Sequence, residues 1–229
     1  MKLYPNNLVA NVSRSLLALL SLLALSSCGT DTGKMLPAVD ADNGGLYLPT
    51  GFGALVVVDS IGRTRHIAVN ANGDIYSQRN NSEDGKGTIA MRDTNGDGRA
   101  DSIVRFGDYL DEGRGATGIT THNGYLYVSS RKIINKTKLK EGELVPTGKT
   151  EVVLTDMDPN VATNWHTTKP VAFDDKGNMY VPFGAPSDAC QDMQKYGPVG
   201  IPGGKGLDPC PELEMHAGIW RFDADRAGL

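Results

Sequence analysis

Several features are scarce or missing in this chain of 229 residues. Positive charge is not in excess: 23 basic and 27 acidic side chains give a formal net charge of −4, which gives no support to nucleic-acid binding. No apolar run is long enough to span a bilayer comfortably, because the longest, residues 16–25, falls well short of the roughly 20 residues required. Cys-x-x-Cys spacing and amphipathic helical segments are also missing. These absences exclude a multispanning membrane protein and leave a chain long enough for a sizeable core.

Glycine, by contrast, is abundant. The chain has 28 glycines in 229 residues, or about 12% where about 7% is usual. They follow no Gly-X-Y period, so collagen is excluded. So many turn residues favour an all-β fold over a helical one.

The N-terminal segment has the layout of an export signal. Arg14 precedes the apolar run 16–25, and the sequence Leu-Ser-Ser-Cys-Gly that ends at Gly29 resembles the bacterial lipobox. We therefore predict a lipoprotein signal peptide over residues 1–27, lipidation at Cys28, and a small, polar, flexible tether over 28–45. Gly29 after the cysteine implies the outer membrane of a bacterial envelope, facing the periplasm. The alternative is an ordinary secretory signal with a chance cysteine.

Two further cysteines lie near the C-terminus. Because an exported protein folds in an oxidising compartment, we predict a disulfide between Cys190 and Cys210. Closing a loop of about twenty residues contributes roughly 3 kcal/mol in the chain-entropy model. The segment between them is rich in glycine and proline and has almost no apolar periodicity, so it needs such a clamp.

The body of the chain contains an internal repeat. Each copy is an apolar strand, a turn closed by glycine, and a second strand that carries a tyrosine. The glycines and the tyrosines both step by 51 and then 53 residues, a period typical of stacked supersecondary units. We predict a β-propeller with one blade per repeat and a fourth blade that begins at Gly218; a β-sandwich with coincidental spacing is the alternative. The copies are 65–77, 118–130 and 170–184, with Gly73, Gly124 and Gly177 and with Tyr76, Tyr127 and Tyr180.

The length bears on that fold. Residues 46–229 give room for roughly three and a half repeats at this period, whereas propellers close with four to eight blades. We therefore expect a partial propeller, the front half of a larger ring. The basic stretch 131–140 (RKIINKTKLK) is interpreted as a solvated blade edge that blocks strand addition.

One loop has the spacing of a calcium site. Side-chain oxygens stand at positions 1, 3, 5 and 9 of a loop whose sixth residue is Gly98, although Val104 replaces the glutamate expected at position 12. The alternative is an Asx-rich turn in which these side chains bond their own backbone. The candidate ligands are Asp93, Asn95, Asp97 and Asp101.

Long stretches of the chain resemble a known family. The segments 48–58 (LPTGFGALVVV), 62–77, 89–108 (IAMRDTNGDGRADSIVRFGD), 164–190 (NWHTTKPVAFDDKGNMYVPFGAPSDAC) and 210–224 resemble the soluble quinoprotein glucose/sorbosone dehydrogenases. The resemblance covers most of residues 46–225. It implies a six-bladed propeller that carries pyrroloquinoline quinone (PQQ) and Ca²⁺, oxidises a sugar or sugar aldehyde, and passes electrons to an acceptor in the envelope.

The same resemblance singles out one histidine. The family's catalytic base precedes by seven residues a phenylalanine that opens a turn, and His166 with Phe173 falls on that pattern. In glucose-oxidising members an aspartate orients this base, and Ala185 stands in its place, which shifts the implied substrate toward sorbosone. The family's Arg-Asn pair lies beyond residue 229, so no residue here inherits its role. His66, His122 and His216 are interpreted as structural or exposed.

The function expected from these patterns is a lipid-anchored PQQ-dependent sugar or sorbosone dehydrogenase with His166 as its base. The alternatives are a channel-lining histidine with no proton to move, in a non-catalytic ligand- or partner-binding propeller lipoprotein, and, ranked last, a sugar-lactone hydrolase. The lactone hydrolase ranks last because no convincing set of channel carboxylates occurs in the sequence.

Overall fold

The computed structural model describes residues 36–79, 84–107, 118–158 and 165–226. A compact unit begins at Pro37. Its regular structure is almost entirely β, in three antiparallel sheets of four, four and three strands. The first sheet holds β1 (Thr64–Val69), β2 (Ile75–Arg79), β3 (Thr88–Arg92) and β4 (Ser102–Phe106); the second β5 (Ile119–His122), β6 (Tyr125–Ser129), β7 (Ile133–Lys138) and β8 (Thr150–Thr155); the third β9 (Ala172–Phe173), β10 (Asn178–Phe183) and β11 (Gly218–Asp223).

The three predicted hairpins are present, one at the start of each sheet. β1 pairs with β2, β5 with β6 and β9 with β10, always antiparallel. Each turn uses its predicted glycine at positive φ: 92° at Gly73, 75° at Gly124 and 81° at Gly177. A side chain at these positions would be strained in the left-handed region, which explains why glycine recurs at the repeat period.

The sheets pack face to face in chain order. One apolar cluster between the first and second sheets contains Tyr76 and Leu126, and another between the second and third contains Leu154 and Met179, all almost fully buried. The second sheet therefore lies between its neighbours. Sheets stacked in sequence around one side of the molecule are the arrangement of consecutive propeller blades.

The first strands of the sheets follow one another in space. The Thr121 hydroxyl of β5 donates to the Val69 carbonyl of β1 at 3.3 Å. His122, at the end of β5, stacks on Phe173 of β9 with ring centroids 4.0 Å apart. The neighbouring β1, β5 and β9 thus occupy the position of inner strands, which confirms the all-β, propeller-like fold.

Polar groups also join the first and second sheets. The buried Gln78 side chain donates to the Ser129 carbonyl at 2.7 Å, and the Tyr76 hydroxyl donates to the Leu144 carbonyl at 3.0 Å. Burial, together with the charge of nearby Asp74, raises the pKa of Tyr76 to about 12. Its hydroxyl therefore remains a donor at any physiological pH.

The prediction of a fourth blade at Gly218 was wrong. β11 pairs with β10 over six residues, from Asn178 opposite Asp223 to Phe183 opposite Gly218, and so is the third strand of the third sheet. The repeat period misplaced it because residues 184–217 form an insertion between the two strands. The register could not be read from spacing once that insertion interrupted the pattern.

Two other expectations are corrected. The basic stretch 131–140 is not a blade edge, because β7 lies inside the second sheet between β6 and β8 and buries Ile134. The predicted tether ends earlier than residue 45: Asp40 accepts hydrogen bonds from the Val56 backbone and from Arg99, so this part packs on the folded unit. The lysines of β7 obscured the alternation of its apolar residues in the sequence, because the long aliphatic stem of a lysine can occupy a partly buried position.

Candidate functional site

The insertion after β10 forms one wall of the candidate site. It contains the short helix α1 (Met193–Tyr196) and a disulfide that joins Cys190 to Cys210, with Cα atoms 6.1 Å apart. Inside it, the buried Gln191 side chain donates to the carbonyls of Ile201 and Gly204 and accepts from the Ile201 backbone. These bonds give fixed positions to a segment that has almost no regular structure.

His166 lies beside this insertion, six residues before β9. Its Nδ1 is 2.9 Å from the Ala185 carbonyl oxygen, and its Nε2 is 3.2 Å from Oδ1 of Asp188. The side chain is about half exposed, at 49%, and that of Asp188 is 40% exposed. Both ring nitrogens thus face defined partners while the ring remains open to solvent.

This geometry can do proton chemistry. A backbone carbonyl only accepts, so the contact with Ala185 holds the proton on Nδ1 and leaves the Nε2 lone pair available. A proton that arrives at Nε2 is then stabilised by the carboxylate of Asp188. The Ala185 carbonyl thus selects the tautomer of the ring, and the charge beside the ring comes from Asp188.

A close backbone approach fixes where His166 lies. A Cβ atom added at Gly184 would be 2.2 Å from the carbonyl oxygen of His166 and 2.4 Å from its Cβ. The Trp165 backbone also donates to the Pro186 carbonyl at 3.4 Å. The segment that carries the histidine thus runs directly along the chain that leaves β10, with no room for a side chain at position 184.

Lys169, on the same segment as His166, forms a charged pair with Asp156, but this pair is buried. The ammonium of Lys169 is 2.8 Å from Oδ2 of Asp156, and both side chains are 2% exposed. It also donates to the carbonyls of Arg131 at 2.7 Å and Thr167 at 3.2 Å, and lies 5.1 Å from the centre of the Phe183 ring. All three ammonium donors are used, so Lys169 joins the second and third sheets and offers nothing to a ligand.

The other described histidines have different surroundings. His216, from the insertion, places Nε2 3.5 Å from Asp158, with both side chains nine-tenths or more buried. His122 packs its ring on Phe173. His66 is exposed on β1. Neither the side chain of His122 nor that of His216 is half exposed, as the side chain of His166 is.

The candidate calcium loop joins β3 to β4. Asp93 accepts from the backbones of Asn95, Gly96 and Gly98, which lowers its pKa, with the Gly98 N–H the largest cause. Asn95 and Asp97 likewise accept from backbone N–H groups two residues on, and Asp101 accepts from Thr94. The described arrangement is the Asx-rich turn. Nowhere in the described ranges do three or more acidic, histidine or cysteine side chains come together as a metal site. Calcium binding by Asp93, Asn95, Asp97 and Asp101 stays a prediction.

The predicted signal peptide and Cys28 lie outside the described residues. Within the described part of the chain, no helix has the length and apolarity needed to cross a bilayer.

Comparison with solved structures finds a related fold. The chain is similar to a holo form of the pyranose dehydrogenase PQQ domain from Coprinopsis cinerea, with a TM-score of 0.56 and 16% identity over 85% of this chain and 40% of that one. It is also similar to a calcium structure of a Trichoderma reesei carbohydrate-active enzyme of family AA12, with a TM-score of 0.51 and 14% identity over 74% of this chain and 37% of that one. An iodide structure from the same organism and family gives the same TM-score and identity, over 73% of this chain and 37% of that one.

The chain therefore spans about two fifths of the length of these structures. No protein-family model and no curated protein sequence matches it. Identities this low support the fold alone.

Sequence reasoning missed Asp188 and Lys169. Asp188 comes three residues after Ala185, and only the fold of the insertion turns its carboxylate toward the histidine. Lys169 has no such signal either, because it follows two threonines and precedes Pro170, a pattern that does not predict a buried ammonium group.

Proposed function

We propose that this chain belongs to a carbohydrate-oxidising oxidoreductase in which His166 is the base that takes a proton from a substrate hydroxyl. The observation that carries the proposal is the pairing of a fixed Nδ1, at 2.9 Å from the Ala185 carbonyl, with an Nε2 that is open to solvent beside Asp188. Histidine is the side chain that most often acts as a general base in such proton transfers. The finer proposal is a sugar or sorbosone-type substrate, with PQQ and Ca²⁺ as cofactors and an acceptor in the envelope.

An acidic quinone needs accessible cations, and Lys169, the cation nearest His166 along the chain, is not available for this because all its donors are engaged by Asp156 and two carbonyls. The described residues contain no group of three or more acidic, histidine or cysteine side chains that could hold a metal ion. His166 would supply the proton-accepting part of an alcohol oxidation, and PQQ and Ca²⁺, when bound, would be held by groups of the chain other than these.

The proposal includes a lipid anchor at Cys28 on the periplasmic side of the outer membrane. Labelling of the full-length protein with radioactive palmitate in a bacterial host tests it. The Cys28→Ser variant should lose the label and the membrane association together. Equal labelling of both proteins would remove the anchor from the proposal.

The test of the oxidoreductase function uses the full chain with added PQQ and Ca²⁺. We expect reduction of an artificial dye when a member of a panel of aldoses and sorbosone is added, and loss of that activity in His166→Asn. Gel filtration of the mixture should retain the quinone absorbance with the protein. No turnover with any substrate and no retained absorbance would overturn the proposal.

One observation favours a second candidate, a non-catalytic propeller that binds a ligand on its channel face. Lys169, the charged residue between His166 and β9, is engaged in a buried structural pair with Asp156 and so takes no part in chemistry. This candidate predicts that a sugar binds without turnover and that His166→Asn leaves the affinity unchanged. Isothermal titration with the same panel separates the two.

A further inference from the structure

We propose that Ser187 and Glu212 are positioning residues for the candidate base, because their hydrogen bond fixes the part of the chain that carries both partners of His166. The inference rests on the proposed function, since it gives these residues a part in the chemistry of the same site. The Ser187 hydroxyl donates to Oε1 of Glu212 at 2.5 Å. The two residues act on the imidazole through the backbone between Ala185 and Asp188.

Ser187 lies between the two groups that face the imidazole. The Ala185 carbonyl, which is close to Nδ1 of His166, comes two residues before it, and Asp188, whose carboxylate is close to Nε2, comes directly after it. Because the chain is continuous, a shift of Ser187 moves both contacts of the ring. A misplacement of about 1 Å can lower a reaction rate by about two orders of magnitude.

The bond between Ser187 and Glu212 has the features of a charge-assisted hydrogen bond. Its distance of 2.5 Å lies at the short end of the range for a hydroxyl that donates to a carboxylate. Ser187 is only 4% exposed, so water has little access to its hydroxyl as a substitute partner. Removal of the carboxylate would therefore leave a buried donor unsatisfied and release the chain on either side of Ser187.

Glu212 can hold this chain because its own backbone is fixed. It lies in a short 3₁₀-helix, Pro211–Glu214, which begins directly after the disulfide-bonded Cys210 and precedes β11. The Glu212 carbonyl also accepts from the His216 backbone at 3.1 Å. The bond to Ser187 thus joins the first residues of the insertion to its last residues.

Backbone groups make further bonds to the same part of the chain. The Asp188 N–H donates to the Pro198 carbonyl at 2.9 Å, and the Trp165 N–H donates to the Pro186 carbonyl at 3.4 Å. A side-chain substitution leaves these bonds in place, whereas it can remove the bond between Ser187 and Glu212. This pair is therefore the contact through which the position of the ring can be tested.

The kinetic test uses the full chain in the dye-reduction assay with added PQQ and Ca²⁺. Glu212→Ala removes the acceptor, whereas Glu212→Gln keeps a carbonyl oxygen that can accept from Ser187. We expect Glu212→Ala and Ser187→Ala to lower kcat about tenfold with KM unchanged, and Glu212→Gln to restore most of the rate. Glu214→Ala removes an exposed carboxylate of the same 3₁₀-helix and is the matched control, which should leave kcat unchanged.

A second measurement needs neither cofactor nor substrate. Nitrogen-15 NMR of the histidine rings distinguishes a proton on Nδ1 from one on Nε2, and His166→Asn identifies the His166 signals. In the wild type the neutral ring should carry its proton on Nδ1, where the Ala185 carbonyl accepts it. Glu212→Ala and Ser187→Ala should move part of the population to the Nε2 tautomer, and Glu212→Gln should restore the wild-type spectrum. A purely structural role would leave this equilibrium unmoved.

The two measurements separate this inference from the proposed function. An unchanged tautomer in both alanine variants, or a wild-type ring with its proton on Nε2, would overturn the positioning role even if the wild type turns over. A tautomer shift with unchanged kcat would contradict it as well. No turnover in any protein would overturn the oxidoreductase proposal, and the tautomer alone would then decide the positioning of the ring. If Glu212→Ala unfolds, Ser187→Ala carries the test, because it removes a single hydroxyl.

Discussion

Two acid–base pairs, each with one member on the segment before β9, differ sharply in their surroundings. His166 and its partner Asp188 are about half exposed and 3.2 Å apart, whereas Lys169, three residues after His166, and its partner Asp156 are 2.8 Å apart and 2% exposed. The buried pair has every ammonium donor satisfied, and the open pair leaves one lone pair of the imidazole available. The buried pair can only stabilise the contact between sheets, whereas the exposed pair can exchange a proton.

The largest effect on function is expected at the open pair. His166→Asn should lower the turnover of the PQQ-supplemented protein by about 10²- to 10⁴-fold, because it removes the proton acceptor. The free energy of unfolding should change little, since the side chain is half exposed. Steady-state kinetics and urea unfolding on the same preparation measure both. A large loss of stability with unchanged turnover would reverse the roles assigned to the two pairs.

The largest effect on stability is expected at the buried pair. Lys169→Met should lower the free energy of unfolding by about 3–5 kcal/mol, because it leaves the Asp156 carboxylate buried without its cation. The double variant Lys169→Met/Asp156→Leu should recover most of this loss. Lys176→Met, at an exposed turn lysine, is the matched control and should be nearly neutral. Equal, small changes in all three would mean that the pair contributes nothing to the contact between sheets.

A third pair, Asp74 with Arg92, predicts how the free energy of unfolding depends on pH. The carboxylate is almost fully buried; desolvation alone would raise its pKa, but the hydrogen bonds from Arg92 and Asn72 and the charge of Arg92 lower it overall. A lowered pKa in the folded state contributes stability above the unfolded value near 3.8, and this contribution is lost as the pH falls through the folded value.

Asp74→Asn should therefore cost about 1.5–3 kcal/mol at pH 7 and progressively less as the pH falls below 3.8. Urea unfolding of both proteins across this range gives the two curves. Parallel curves, with a constant difference at every pH, would contradict the assignment of the pKa shift to this pair.

The smallest effect is expected at Asp188. Asp188→Asn keeps the side chain's size and removes the charge that stabilises a protonated His166, so turnover should fall about three- to tenfold. The loss should fall on kcat and leave KM unchanged, because the charge acts on the proton transfer and not on substrate binding. Asp192→Asn, a helix-capping residue of α1 in the same insertion, is the control. An unchanged kcat would assign Asp188 a purely structural part.

Much of the fold could be predicted because it is local. Alternating apolar residues around Gly73, Gly124 and Gly177 predict three hairpins, and these are present with the expected turn geometry. The assignment of residues 218–222 failed because strand pairing across the long insertion 184–217 depends on how that insertion folds, which periodicity does not describe. The same holds for the inner position of β7, whose lysines hide its apolar side.

The candidate site was only half visible in the sequence. His166 could be found by resemblance, but its partners come from the insertion: the Ala185 carbonyl has no side-chain signature, and Asp188 is one of several acidic residues there. Contacts made by the backbone, or by a loop that the disulfide closes, depend on the three-dimensional fold. No spacing of residues in the sequence predicts them.

The close approach at Gly184 has a consequence for how this surface can vary. A scan of all substitutions along residues 180–190 should find position 184 restricted to glycine for His166-dependent turnover, even though its backbone angles suit other residues. Alanine there would displace the segment that carries the imidazole, since its methyl carbon would overlap the His166 carbonyl. The absence of a side chain at position 184 is thus the strictest requirement of the site. The tolerance of this position to substitution reports how firmly the His166 imidazole is positioned.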